Sequence, residues 1–397
     1  MHRVESVRRV PALLIGLALA ALTLRPQVVG IGPLLPAIQR DYGVSHAVAG
    51  LLVTIPVLCM GIFAPPAPVL AHRIGAVRAV TVAVALVAFC GVLRAFAPNA
   101  GALIALTIPI GIGMGLGNAL MVVAVKERFA DRPLLVTGVY AASIQVGSTV
   151  AAATAVPLSD AGDDWRLAPL VFGAGAIVSL LAWAYASRGL APPDEEAALP
   201  HYPLHSSTAW LIVLLFVFIG QLYYGLTAWL PDAYQEKGWS ESDTGLLTSV
   251  MNLVTVPAAL TVSFAGHRIH RRTGLVGAAV LMVVATTLLV VAPGGALVWV
   301  IGAGLANGTL FTLAMTLPLD VADSPGAVGG IAGMMLGVGY VGIAIAPIAL
   351  GAIRDATGGF EAVLIVIAGT SAALLVVTLA CSPERLRRGL TRSAGAV

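Results

Sequence analysis

The sequence predicts an all-α membrane protein of twelve transmembrane helices, arranged as two pseudo-symmetric six-helix bundles. Composition is the first reason. Of 397 residues, 58% are hydrophobic before the 44 glycines are counted, 10% are charged, and the mean hydropathy is +0.95. Soluble domains carry about 25% charge. A water-soluble fold of this length would have to expose much of its apolar surface, so a soluble protein is excluded. The second reason is spacing: apolar runs of about 20 residues, long enough to cross a bilayer, recur along the whole chain. The third is a repeat. Leu35-Pro36, Gly43-Val44-Ser45 and Gly50-Leu51-Leu52 return as Leu230-Pro231, Gly238-Trp239-Ser240 and Gly245-Leu246-Leu247, at a constant offset of 195 residues.

In chain order the runs lie near 10–36, 47–70, 79–97, 100–123, 134–157, 166–187, 208–231, 243–265, 274–293, 296–319, 325–352 and 360–380. The first follows Arg3, Arg8 and Arg9 as a secretory signal would. Its apolar stretch outruns the 7–15 residues of a signal core, so it is expected to be retained as a span. Pro56, Pro65, Pro66 and Pro68 are expected to kink or break the second run, where neighbouring helices can re-satisfy the freed carbonyls. The repeat continues through His72-Arg73-Ile74 and His267-Arg268-Ile269, and near Trp165 and Phe360. In the fourth and tenth runs the offset slips to about 189, which pairs Asn118 with Asn307. Six spans duplicated in one orientation give two bundles related by an axis along the membrane normal, with a ligand held between them near the midplane. The expected domains are an N-terminal bundle at 1–190, a polar cytoplasmic linker at 191–207 and a C-terminal bundle at 208–397.

The net charge of +3 is small and the basic residues are scattered, so nucleic acid is not an expected partner. Lysines and arginines concentrate in the loops on the side of both termini, which places the termini in the cytoplasm. Lys126 and Lys237 are the only lysines, and that bias toward arginine, with abundant alanine and glycine, points to a GC-rich bacterial source. Cys59, Cys90 and Cys381 have no paired spacing and read as small core residues. No cofactor or metal is expected. A membrane enzyme would need a nucleophile or a buried acid–base cluster, and the apolar runs offer none. Gly337-x-Gly339-x-x-Gly342 matches a dinucleotide fingerprint by letter, but no strand precedes it.

Arg25 is the most informative residue. It falls almost at the centre of the first run, where a charge costs about 2.5–3.5 kcal/mol on insertion scales and normally faces a cavity. The nineteen acidic residues fall in loops or at run ends, so the anion that Arg25 meets is expected to be a substrate; the alternative is that it satisfies carbonyls at a break made by Pro26. Arginine does not titrate, so either transport is uniport or exchange, or the proton travels on the substrate, or an end-of-run residue such as Glu127, Asp232 or Asp320 serves. Polar groups placed midway along other runs are further candidates for the same site: Asn118, Tyr140, Gln145, Gln221, Tyr224, Asn252, Asn307 and Tyr340. Gln221 and Tyr224 share a helical face, being three apart, while Tyr223 is expected to point elsewhere. His72, Arg73, Lys126, Arg128 and Arg268 read as a latch on the cytoplasmic side, and Trp229 as a belt or gate residue near the opposite end.

The loop Leu70-Ala71-His72-Arg73-Ile74-Gly75 resembles the loop motif of the major facilitator superfamily. His72 stands where that motif carries an acidic residue, and Ala76 where it carries a basic one. Leu24-Arg25-Pro26, Gly32-Pro33-Leu34-Leu35-Pro36, Gly117-Asn118, Val125-Lys126-Glu127-Arg128-Phe129 and Thr137-Gly138-Val139-Tyr140 narrow the resemblance to the cyanate/2-nitroimidazole transporter family. The second half agrees at Trp229-Leu230-Pro231 and from Gly337-Val338-Gly339-Tyr340 to Asp355-Ala356-Thr357-Gly358. The resemblance implies a bacterial inner-membrane carrier working by alternating access as a monomer, for a small anion or a small polar heterocycle. It also implies that the first, fourth, seventh and tenth spans line the cavity, which raises Asn118, Gln221 and Tyr224 among the candidates, with Tyr140 on the adjoining fifth span.

Overall fold

The computed structural model describes residues 2–44, 46–129, 131–190, 202–265, 270–322 and 324–381. Those residues are helical with short connections and contain no strand. Eleven helices are long and apolar enough to cross a membrane, and one bent pair brings the number to twelve. The first span runs from α1 (His2–Leu22) through a break into α2 (Pro26–Val29), a 3-10 turn at Gly32–Leu34 and α3 (Leu35–Tyr42). The second is the bent pair, α4 (His46–Phe63) and α5 (Ala67–Ile74), whose axes differ by 61°. Pro65 and Pro66 fall in the break, as the sequence predicts, because proline cannot donate to the preceding turn. Then follow α6 (Ala76–Arg94), α7 (Ala100–Arg128), α8 (Pro133–Ala161) and α9 (Leu167–Ala186). The second half contains α10 (Ser207–Glu236), α11 (Glu241–Ala265), α12 (Arg271–Val291), α13 (Ala296–Val321), α14 (Pro325–Thr357) and α15 (Glu361–Ala380).

Local chemistry starts these helices where they start. Asn99 Oδ1 accepts from the Ala102 amide at 2.9 Å before α7, and Ser240 Oγ accepts from the Asp243 amide at 3.1 Å before α11. Both satisfy an amide that the helix leaves open. Pro133 and Pro325 occupy first positions of α8 and α14, where the missing N–H costs nothing.

The chain forms two compact units. The first comprises 1–131, 143–201 and 324–333; the second comprises 132–142, 202–323 and 334–397. Each unit therefore contains one of the two sequence halves, except that the starts of α8 and α14 are exchanged. Inside the first unit α6 packs on α7 and α9, α4 on α7, and α1 on α9. Inside the second, α12 packs on α13 and α15, α11 on α13, and α10 on α15. The pattern is the same helix for helix. Backbone turns repeat as well: Gly43 and Gly238, and Asp163 and Gly358, all have positive φ and stand 195 residues apart in each pair.

The closest helix contacts also repeat. A Cβ on Gly111 would meet Pro56 and Cys59 at 2.8 Å, and one on Gly115 would meet the Cys59 carbonyl at 2.8 Å. Gly304 lies in the same way against Met251 and Val254, and Gly308 against Thr255. Small residues four apart let backbones touch where apolar side chains give no extra drive in lipid. These pairs are 193 apart, so Asn118 and Asn307 are not at equal depth as the 189 offset predicts. They share a face and differ by one turn, about 6 Å. α7 has the most enclosed window of all spans, 83% buried. Large exposed apolar side chains such as Ile15, Ile62, Phe89, Val178, Phe264 and Val376 cover other helices, which suits a protein solvated by lipid.

Candidate functional site

In the first unit the site is built around the break in the first span. Thr23 Oγ1 bonds back to the Ala20 carbonyl at 2.9 Å, and the Thr23 and Leu24 amides reach Ala20 and Ala21 in tight turns. Arg25 then caps α2, with Pro26 at the first helical position, and it is only 7% exposed. Two glycines seat this break. A Cβ on Gly147 of α8 would fall on the Leu22 carbonyl, and one on Gly117 of α7 would meet Leu24 at 2.7 Å. Gln145 and Asn118, both buried, belong to those same turns of α8 and α7. Asn118 is thus next to the glycine that meets Leu24, and Gln145 is two residues before the one that meets Leu22. Nδ2 of Asn118 is buried without a hydrogen-bond partner among the described residues.

Two residues that the sequence did not nominate complete this region. Gln27 is 1% exposed and donates through Nε2 to the Pro169 carbonyl of α9 at 3.0 Å. Arg94, near the end of the third run, is fully buried and donates through Nη1 to the Gln27 carbonyl at 2.6 Å. The signal available was the lone arginine before the end of the third run; nothing in sequence says that it turns inward.

Beyond the break, the end of the first span is clasped. Arg166 pairs with Asp41 at 2.8 Å, donates to the Tyr42 hydroxyl at 3.1 Å, and lies over the rings of Trp165 and Tyr42 at 4.7 and 5.4 Å. Tyr42 donates to the Ala97 carbonyl at 2.7 Å, and Trp165 donates to Asp41 at 3.1 Å. Partial burial lowers the Arg166 pKa, but Tyr42 and Asp41 outweigh it and hold the guanidinium above its usual range.

In the second unit the predicted residues divide into two groups. Gln221 donates to the Gly342 carbonyl of α14 at 3.1 Å. Tyr223, set aside in the sequence reading, is the residue that meets Asn252: its hydroxyl donates to Oδ1 at 2.8 Å, while Nδ2 donates to the Thr248 carbonyl at 3.0 Å. Tyr224 stands edge-on to Tyr223 with ring centres 5.2 Å apart. Tyr340, 2% exposed, is edge-on to Phe216 at 5.5 Å, and Phe216 also faces Phe311 at 6.3 Å. Tyr140 is 1% exposed, with a hydroxyl lacking a partner among the described residues. Asn307 likewise leaves Oδ1 buried and unmatched.

Of the gating candidates, His72 is half-buried in the last turn of α5 and Arg73 is exposed beside it. Lys126 and Arg128 are half-buried in the last turn of α7. Trp229 is half-buried, donating to the Pro347 carbonyl at 3.0 Å with its ring 5.8 Å from that of Phe360. Arg268 lies outside the described residues. Asp320, a candidate for proton work, is instead ion-paired with Arg271, which also reaches Thr316. No group of three metal-ligating side chains occurs among the described residues.

Two repeated six-span units with a break in the first span define a carrier class, and comparison with known proteins agrees. The Major Facilitator Superfamily profile matches residues 12–341 and again 233–394. The chain belongs to that superfamily, and is a multi-pass membrane transporter rather than an enzyme. It is 29% identical over 381 residues to the cyanate transport protein CynX of Escherichia coli (strain K12), covering 94% of this chain and 98% of that one. It is 28% identical to the 2-nitroimidazole transporter of the same organism, covering 94% and 96%. The gentisate transporter of Corynebacterium glutamicum matches at 26%, covering 80% and 75%. Among solved structures, the proton:xylose symporter XylE superposes with a TM-score of 0.74 at 12% identity, over 94% of this chain and 95% of that one, a likeness of fold.

Proposed function

We propose that this chain carries a small anion, cyanate-like or a small organic acid, across a bacterial cytoplasmic membrane by alternating access, with Arg25 as the anchor. One observation carries the reading: a guanidinium buried at a break in a membrane span, where freed backbone and a planar donor fork meet. Asn118 and Gln145 flank it on the turns that seat the break. Gln221, Tyr224, Asn252, Asn307, Tyr140 and Tyr340 are the further polar and aromatic candidates for substrate contact in this reading. His72, Arg73, Lys126, Arg128 and Arg268 latch the cytoplasmic side and Trp229 the other. In this reading both termini are cytoplasmic, the chain works as a monomer, and 1–190 and 208–397 are the moving bundles joined by the linker 191–207.

A second reading is efflux of a small nitroimidazole-like or other polar heterocycle. The edge-on aromatic pairs Tyr223–Tyr224 and Phe216–Tyr340 favour it, because such rings stack on flat ligands. Among the relatives named above, the cyanate and gentisate transporters support the first reading and the 2-nitroimidazole transporter the second. A thermal-stabilisation screen of purified wild type and Arg25→Ala separates them, since a ligand of the folded state raises stability with concentration. The anion reading expects cyanate, formate or benzoate to stabilise wild type and not the variant. Stabilisation by neutral nitroheterocycles alone, equal in both proteins, replaces it with the efflux reading.

A further inference from the structure

Arg94 ends α6, and among the described residues none forms an ion pair with it. Its Nη1 donates to the Gln27 carbonyl at 2.6 Å. That carbonyl needs a donor from outside its own helix. In a continuous helix the Ile31 amide would supply it, but Ile31 donates to the Val28 carbonyl at 3.2 Å as the chain tightens toward the 3-10 turn. Nε and Nη2 of Arg94 and Oε1 of Gln27 are buried with no hydrogen-bond partner among the described residues. The surroundings are shaped for this contact. A Cβ on Gly91, one turn before Arg94, would fall on the Gln27 amide, and one on Gly173 would meet the backbone of Val92 and Gly91 at 2.6 and 2.8 Å.

We propose that Arg94 is a positioning residue for the substrate site: it caps the carbonyl left open where α2 tightens into the 3-10 turn, and so holds α2 and with it Arg25, two residues before that carbonyl. The inference rests on the reading of Arg25 as anchor. Capping one carbonyl uses only one of the guanidinium's five donors. What the charge adds is a positive potential beside Arg25 in low-dielectric surroundings, which favours an anion over a neutral ligand. Arg94 thus acts through Arg25 and the backbone between them, without touching substrate.

The test compares Arg94→Lys, Arg94→Gln and Arg25→Ala in lipid nanodiscs, with Arg94→Met as a second variant without the cap should Arg94→Gln not fold. Two readouts are taken: the affinity for cyanate and formate from stabilisation titrations, and amide hydrogen exchange in peptides covering 23–34. Arg94→Gln is expected to weaken anion affinity about tenfold and to speed exchange in 26–34 by about the same factor. Arg94→Lys, which keeps a donor at the carbonyl, is expected to fall between wild type and Arg94→Gln in both. Unchanged exchange in Arg94→Gln, or a Lys variant as impaired as the Gln variant, overturns the inference. If Arg25→Ala binds the anions as wild type does while Arg94→Gln still speeds exchange, the anchor reading fails and the cap stands. If Arg25→Ala abolishes binding and exchange in Arg94→Gln is unchanged, the anchor stands and the positioning role falls. Should neither anion bind wild type, the exchange arm alone decides the cap.

Discussion

Tyr223 and Tyr224 are neighbours in α10, and only the first reaches Asn252. The spacing of Gln221 and Tyr224 predicts a shared face; in the structure Gln221 bonds to α14 while Tyr224 packs on Tyr223. Which face meets α11 could not be read, because every face of a buried span is apolar and leaves no stripe to follow. The Tyr223–Asn252 bond is expected to contribute about 0.6 kcal/mol, the average for interhelical bonds in a membrane. Unfolding of Tyr223→Phe, Asn252→Ala and the double variant checks this. A coupling energy near that size supports the bond, and strict additivity means that it contributes nothing. Arg94 teaches the same lesson at the other end of the polarity scale. Its position near a run end was legible; its burial was not, because its partner is a carbonyl 67 residues earlier. Arg25 was legible since charge at mid-run stands out from composition alone.

Helices and their contacts were legible where the device is local. The prolines of the second run foretold the bend between α4 and α5, and Ser240 with Asp243 foretold nothing but serves as a start for α11. Gly111 and Gly115 stand in a run of alternating glycines, yet nothing in the sequence says what they or Gly304 and Gly308 pack against. Gly111 and Gly115 on α7 do for α4 what Gly304 and Gly308 on α13 do for α11. Equivalence predicts equal cost. Gly111→Leu and Gly304→Leu should each destabilise by about 1–3 kcal/mol, as overpacking does, measured by unfolding in the same detergent. A large loss at one and none at the other would break the equivalence and restore the 189 offset.

At the scale of the whole chain the duplication was the most legible feature, because a repeat is read by comparing the sequence with itself. Its persistence in four positive-φ turns, one of them at Asp163, extends it to the backbone. The exchanged starts of α8 and α14 were not legible, since no composition change marks 132–142 or 324–333. If the two halves fold as separate bundles, a chain cut in the 191–201 region should still work. Co-expressed 1–190 and 202–397 are expected to co-purify and to keep at least about half of the ligand stabilisation of the intact protein. Fragments that fail to associate, while each remains folded, would mean that the connection itself is required.

The break at Thr23–Arg25 also has a consequence for how the protein is made. Its supporting groups come late in synthesis: Arg94 from the third span, Gly117 from the fourth, Gly147 from the fifth and Pro169 from the sixth. When the first span enters the bilayer none of them exists. A fully broken helix at that moment would present several open carbonyls to lipid, whereas a straighter one leaves the cation and the one carbonyl that Pro26 cannot bond to offset against its many leucines. The first span is therefore expected to enter straighter than it ends and to settle into its final break only once the sixth has been delivered, so that the site around Arg25 is among the last parts of the N-terminal half to mature.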